Sequence, residues 1–503
     1  MRGQGEVDTE NLEAFINQDI TKADADYNQA PYEPIYYGGY IQDKIEFRDI
    51  VLNLGLRVDV FDNNTRVLKD KFARRPVCQA GDINNMNVGA IGQDCTGNLP
   101  GGVPGTVGSE FSVFYSGDDI VGFRDANGTY YDTGGNETLA GDILLVAQPR
   151  QTNNQITSEM FEDYEPEVTW MPRIGVSFPI TDQALFFASF GVVSQRPSSR
   201  TFATLELLQG TTGGGNNPNL RPEKTTKYEL GFRQRVGARA AFTITSFVHQ
   251  IENLIQIREI RGASPNVYRS FENVDFGTVK GLELGLDLRR TRGISANVNY
   301  TLSYADGTGS GDRTTGTIVW VDETPPNFIS PLSFDQRHKF NASDDFRLGA
   351  GEGPTIFGAK LLENFGINLL ATAGSGFPYT PVVEPFNLAG GARAANPAGS
   401  INGARMPWSS RVDLRFDRRF PLNSGSSFTA FLWVQNVFDQ VNTNDVWRFT
   451  GLPGDDGFLA TSSGSRQLSQ SPPVFETLYN HRNRILSWVG IPRMTRLGVR
   501  LDF

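Results

Sequence analysis

The chain has 503 residues, 39% of them hydrophobic, with 46 basic against 56 acidic side chains and a net charge of -10. Its mean hydropathy is -0.33. No run of about 18 apolar residues occurs, which excludes a helical membrane span, and no basic stripe of the kind that binds nucleic acid is present. The acidity is local: residues 1–37 carry 8 acids and 2 bases, and residues 63–170 carry 15 acids and 7 bases.

Residues 1–18 are polar and acidic, without the basic and apolar regions of a signal peptide. From Tyr40 onward the chain alternates apolar and polar residues with period two. Leu52, Leu54, Leu56, Val58 and Val60 share one face, with Arg57 and Asp59 on the other. The pattern returns in Leu282, Leu284, Leu286 and Leu288, in Val412, Leu414 and Phe416, and in the closing run to Phe503. Thirteen such strands are expected, beginning near Tyr40, Leu52, Arg173, Ala184, Thr226, Ala241, Lys280, Ser295, His338, Gly366, Arg411, Phe428 and Thr495. Many reach the length of about 9–11 residues that a tilted strand needs to cross a bilayer.

The expected connections alternate between short and long. Long ones fall at 63–170, 197–224, 251–278, 305–333, 377–408 and 440–493, and an intermediate one at 349–365. An antiparallel meander with every second connection long gathers its long loops on one side, the layout of an outer-membrane barrel. The fold class read here is all-β, a transmembrane antiparallel meander β-barrel; a soluble sandwich or propeller is the alternative, with shorter strands and unsegregated loops. Phe61, Tyr228, Tyr304, Phe420 and Phe503 are placed for an interfacial aromatic girdle. The polar rows, with Arg57, Asp59, Arg233, Arg235, Asp413 and Arg415, then line a wet lumen, pairing with one another or guiding solute.

The segment 63–170 is too long for a passive link. Cys78 and Cys95 lie 17 positions apart within it. They read as one disulfide closing a loop, or as two unrelated thiols. The same segment carries Phe123, Tyr130, Tyr131 and Trp170 beside Asp118 and Asp119. Aromatic faces with nearby carboxylates suit a carbohydrate or a cationic ligand and repel an anionic one; the aromatics equally serve to hold a folded cap together. Asp125-Ala-Asn-Gly128 and Gly454-Asp-Asp-Gly457 resemble calcium loops only faintly, lacking the spacing and closing glutamate. No nucleophile elbow, phosphate loop, zinc motif or other cofactor motif is present, so neither enzymatic chemistry nor a metal site is expected.

Several segments resemble TonB-dependent outer-membrane receptors, especially those of Bacteroidetes-like bacteria, and match the C-terminal part of their barrel. They are Tyr40-Ile-Gln-Asp-Lys-Ile-Glu-Phe47, Leu54-Gly-Leu-Arg-Val-Asp-Val-Phe-Asp62, Pro172-Arg-Ile-Gly-Val-Ser-Phe178, Asn217-Pro-Asn-Leu-Arg-Pro-Glu223, Gly281-Leu-Glu-Leu284 and Val434-Gln-Asn-Val-Phe-Asp439. The resemblance implies a 22-stranded barrel around a plug in the bacterial outer membrane, importing a bulky nutrient with energy passed through TonB. It implies as partners outer-membrane lipid, the TonB complex through the plug, a surface lipoprotein, and the barrel assembly machinery, with Phe503 as assembly signal. This chain is then a fragment: residues 1–37 an extracellular loop remnant, residues 38–503 about 13 strands of the barrel, and the plug absent. An adhesin, scaffold or passive pore is the other class of function.

Overall fold

A computed structural model describes residues 34–83, 95–152, 160–198, 216–310, 328–355, 358, 360–385, 396–422 and 425–502. Thirteen long strands run through it, labelled in chain order β1 (Ile35–Phe47), β2 (Ile50–Asp62), β3 (Glu167–Thr181), β4 (Ala184–Gln195), β5 (Glu223–Val236), β6 (Ala240–Ile260) and β7 (Tyr268–Thr291). The remainder are β8 (Ile294–Gly307), β9 (His338–Arg347), β10 (Phe365–Gly374), β11 (Ser409–Pro421), β12 (Ser427–Gln435) and β13 (Met494–Asp502). Each pairs only with its neighbours in sequence, forming one meander from β1 to β13, with the short strand Ser330–Pro331 beside β8. Every long pairing is antiparallel.

The register explains why the alternation is so regular. Leu56 faces Pro172, Leu284 faces Tyr300 and Leu432 faces Leu497, so apolar rows run across strands on one face. Leu54, Ile174, Leu230, Leu286 and Val499 on that face are all exposed. A continuous exposed apolar surface of this kind belongs against lipid, where the backbone is satisfied entirely by neighbouring strands. The other face is polar and partly sealed by aromatic rings laid over glycines. A Cβ on Gly231 would stand 2.1 Å from the Phe187 ring, and one on Gly498 would stand 2.4 Å from the Phe431 ring. Only glycine lets the rings lie flat there. The two-residue turn at Arg292 and Gly293 has φ of 50° and 88°, the primed geometry that matches the strand twist.

All thirteen expected strands are present, and three expectations change at their ends. Residues 251–278 are not a loop: β6 and β7 stay paired up to Ile260 and Tyr268, making a hairpin that stands beyond its neighbours. A bulge between Ile251 and Ile255, with Asn253 at φ 60°, shifts the register and breaks the period-two signal. The loop expected to end at 170 ends at Glu167, where β3 begins. Phe61 is not part of a lipid girdle, because it shares the face of Arg57 and Asp59 and packs edge-on against Tyr164 at 6.0 Å. Tyr228 and Tyr304 do lie on the apolar face, exposed. Phe420 lies there too, stacked on Phe428 at 4.7 Å. Residue 503 and most of 1–37 fall outside the described residues. Among those described, no helix is long and apolar enough to cross a membrane.

At the two ends of the meander, β1 and β13 have one neighbour each, and all thirteen residues of β1 are exposed. The sheet is therefore an open arc with two free edges among the described residues.

Candidate functional site

Between β2 and β3 the chain builds a small domain of its own, here called the cap. Its centre is a five-stranded sheet containing Ser112–Ser116, Asp119–Arg124 and Tyr130–Asp132, with helix α1 (Ala140–Leu144) against it. Cys78 and Cys95 form the disulfide, with Cα atoms 5.4 Å apart and neither side chain exposed. They pack with Val113, Tyr115, Ile120 and Phe123 in one cluster, and Phe114, Tyr130 and Ile143 form a second. Two small clusters and a crosslink compensate for a core too small to hold itself. Burial raises the Tyr115 phenol to about 12, against a smaller opposing pull from Arg150, whose guanidinium lies 3.9 Å from the ring centre.

The six ligand candidates do not converge on one surface. Phe123 is wholly buried and Tyr130 is 5% exposed, so both hold the cap together. Tyr131 is half-buried against Phe111 at 5.2 Å. Asp118 and Asp119 are exposed on the turn after Ser116; Asp119 accepts a hydrogen bond from Asn98 at 3.1 Å, and Asp118 lies 3.6 Å from Arg150. Trp170 is outside the cap altogether. It pairs in register with Val58, on the apolar face of the wall, 60% exposed. There its amphipathic ring fits an interfacial anchor. The calcium-like segments are turns whose carboxylates are occupied: Asp125 accepts from the Thr129 amide at 2.7 Å, and Asp456 from the Phe458 amide, Tyr479 and Asn483.

What the sequence reading missed is the seam between the cap and the β6–β7 hairpin. Leu68 and Phe161 from the cap pack with Ile260, Ala263 and Tyr268 of the hairpin. Backbone bonds cross the seam from Arg74 to Ser264 and from Ser264 to Phe72, at 3.1 and 2.8 Å. Tyr268 donates to the Lys71 carbonyl at 2.6 Å, and Lys71 meets Glu272 at 2.6 Å. Arg124, 1% exposed, lies over the Phe72 ring at 4.3 Å. It donates to Asp70 at 2.6 Å and to the Gly262 carbonyl at 3.1 Å. A buried guanidinium this well satisfied fixes geometry more than it adds stability. Beside the seam lies a cavity of about 350 Å³, lined by Lys71, Asn217, Arg221, Asn253, Tyr268 and Glu272 among others. The Asn217–Arg221 segment is held in place by Asn63 on the Pro218 carbonyl and by Tyr164 on the Leu220 carbonyl. The visible signal was the basic run Lys69-Asp-Lys-Phe-Ala-Arg-Arg75 inside an acidic segment.

On the polar face of the wall, the predicted charges mostly satisfy one another. Arg57 pairs with Asp59 at 2.7 Å, and Asp59 also accepts from Tyr36. Arg233 meets Asp287 at 3.4 Å, and Arg411 pairs with Asp413, which also takes the Asn436 amide. Arg347 reaches Asp417 at 3.0 Å and Asp345 at 3.1 Å. Arg415 lies over the Phe431 ring at 4.4 Å, and Arg235 is exposed near the short turns.

A protein-family description, "TonB dependent receptor-like, beta-barrel", matches residues 6–437. No curated protein sequence matches the chain. Solved structures similar to it include the ferric-catecholate import receptor Fiu from E. coli K12 in its closed form, at 14% identity and a TM-score of 0.41, covering 82% of this chain and 41% of that one. The FrpB iron transporter from Neisseria meningitidis matches at 14% identity and 0.42, covering 81% and 41%. The copper transporter OprC matches at 13% and 0.42, covering 95% and 50%. The chain thus spans about half of these proteins or less. With a lipid-facing β-meander and the family match over most of its length, the chain belongs to the TonB-dependent receptor-like β-barrel family of the outer membrane.

Proposed function

We propose that the chain is the C-terminal barrel portion of an outer-membrane importer, in which TonB supplies the energy and a plug elsewhere in the receptor gates the lumen. The observation that supports this best is the cap. A passive wall has no use for a crosslinked domain of its own, clamped to a hairpin four strands away by Arg124, Lys71 and Tyr268. A lid seated in this way would screen a bulky nutrient at the outer mouth: an oligosaccharide, a peptide or a metal chelate. The polar row carrying Arg57, Asp59, Arg233, Arg235, Asp413 and Arg415 would face the lumen, and its internal ion pairs would leave a wet, nearly neutral wall for a large solute to pass. Outer-membrane lipid, the assembly machinery and a surface lipoprotein are the partners this reading carries. The test is uptake in cells bearing the complete receptor, with and without TonB, and with residues 77–151 replaced by a glycine-serine linker. Uptake lost in both altered strains supports the reading. Equal uptake without TonB would sink it in favour of a passive pore.

A further inference from the structure

The cap is acidic, yet its basic residues are unevenly distributed. Of the seven bases in residues 63–170, three sit apart from one another and each has an acid: Arg66 with Asp163 at 2.9 Å, Arg124 with Asp70, and Arg150 with Asp118. The other four lie within residues 69–75. Lys71 takes Glu272, Lys69 is exposed, and no acidic side chain among the described residues pairs with Arg74 or Arg75. Fifteen acids are available in the same segment, so the lack of partners is not a shortage of carboxylates.

Arg74 is the more telling of the two. It is 5% exposed, its Nε is sealed without an acceptor, and its guanidinium lies 4.5 Å from the centre of the Tyr268 ring. The nearby acids are already committed, Asp70 to Arg124 and Glu272 to Lys71. Arg75, half-buried, donates to the Arg74 carbonyl at 2.8 Å. Burial pushes both guanidinium pKa values down from the usual arginine range, and the Arg75 charge lies near enough to Arg74 to add to the downward pull on that guanidinium. Burying a cation without a carboxylate is costly, and a ring face recovers only part of that cost.

We propose that Arg74 and Arg75 form a binding site for an anionic oxygen-bearing group, a carboxylate or a phosphate, at the seam where the cap meets the β6–β7 hairpin. Two guanidinium forks offer the planar, charge-assisted hydrogen bonds that such groups accept. The site reverses what the net charge of the cap suggests, because the acids lie elsewhere and the receptive spot is local. It stands independently of the import reading, since binding is measured whether or not solute is transported.

The test is calorimetric titration of the full chain in detergent micelles with inorganic phosphate and, separately, with citrate. Saturable binding of at least one is expected, and which one binds decides between phosphate and carboxylate. Arg75→Gln, which leaves Arg74 on the Tyr268 ring, should weaken that binding by about tenfold, the scale of one lost charge-assisted contact. Arg74→Gln should abolish it, and Arg74→Lys should restore part of it. Arg66→Gln removes the same charge from the cap and should change nothing. The proposal is overturned by the absence of saturable binding of either anion, by unchanged affinity in Arg75→Gln, or by an equal loss in Arg66→Gln. Where Arg74→Gln unfolds the cap, the Arg75→Gln result stands alone.

Discussion

The wall and the cap solve the same problem of order with opposite means. In the wall, each strand from β2 to β12 is fixed by two neighbours and by alternation, and side chains on the apolar face are exposed because lipid is their solvent. In the cap there is no lipid and little length, so order comes from a buried disulfide, two aromatic clusters and a buried arginine. The wall therefore tolerates change by row, whereas the cap tolerates it by residue.

That contrast is open to direct attack. The largest effect is expected from Phe123→Ala, which empties a wholly buried site and should cost the cap about 3–5 kcal/mol. Limited proteolysis on intact cells should then cut within 95–152 while the wall stays resistant; loss of the whole receptor would mean that the two regions fold as one. Leu286→Arg on the lipid face should cost the wall about 2–4 kcal/mol, seen as a lower melting temperature in detergent with the cap still protease-resistant. Cys78→Ser opens a loop of 17 positions and should cost about 3 kcal/mol. A cap equally resistant to protease with and without reductant after denaturation and refolding would contradict it.

A pH effect should also separate the regions. The Tyr115 phenol is raised from 10.0 to about 12 by burial. A group whose folded pKa is raised contributes fully below its unfolded value and loses that contribution as pH climbs to the folded one. The cap should therefore loosen between pH 10 and about 12, with Tyr115→Phe reducing that step in a protease titration and the buried Tyr130 phenol, raised in the same direction by burial, supplying the remainder; an unchanged step in the variant would assign it away from Tyr115. Smallest of all, Lys71→Gln breaks a half-exposed ion pair with Glu272 and should cost less than about 1 kcal/mol. Its effect should fade in high salt, and a salt-independent loss would point instead to the Tyr268 bond on the Lys71 carbonyl.

The same contrast explains what could be read in the chain before its structure. All thirteen wall strands were legible because one residue in two repeats a single decision, lipid or polar, over nine or more positions. The reading failed where that repetition stops. At Asn253 a bulge flips the pattern, so the outer part of the β6–β7 hairpin passed for a loop. In the cap, Phe123 and Tyr131 have the same composition around them, yet one is buried and the other half-exposed, because the five short strands there have no period long enough to sort them. Trp170 was assigned to the loop only because its strand starts at Glu167, ahead of the Arg173 from which the alternation is visible. The Arg124–Asp70 pair spans 54 positions with no motif to announce it.

One feature of the wall has arithmetic of its own. Strands that alternate in direction return to their starting sense at every odd member, so β1 and β13 point the same way. Bringing these two edges together would create a parallel seam within an otherwise antiparallel ring. A fully antiparallel closure needs an odd number of further strands between the free edge of β1 and the free edge of β13. Whatever completes the ring is thereby constrained in count as well as in shape, since any even number of added strands leaves one parallel seam.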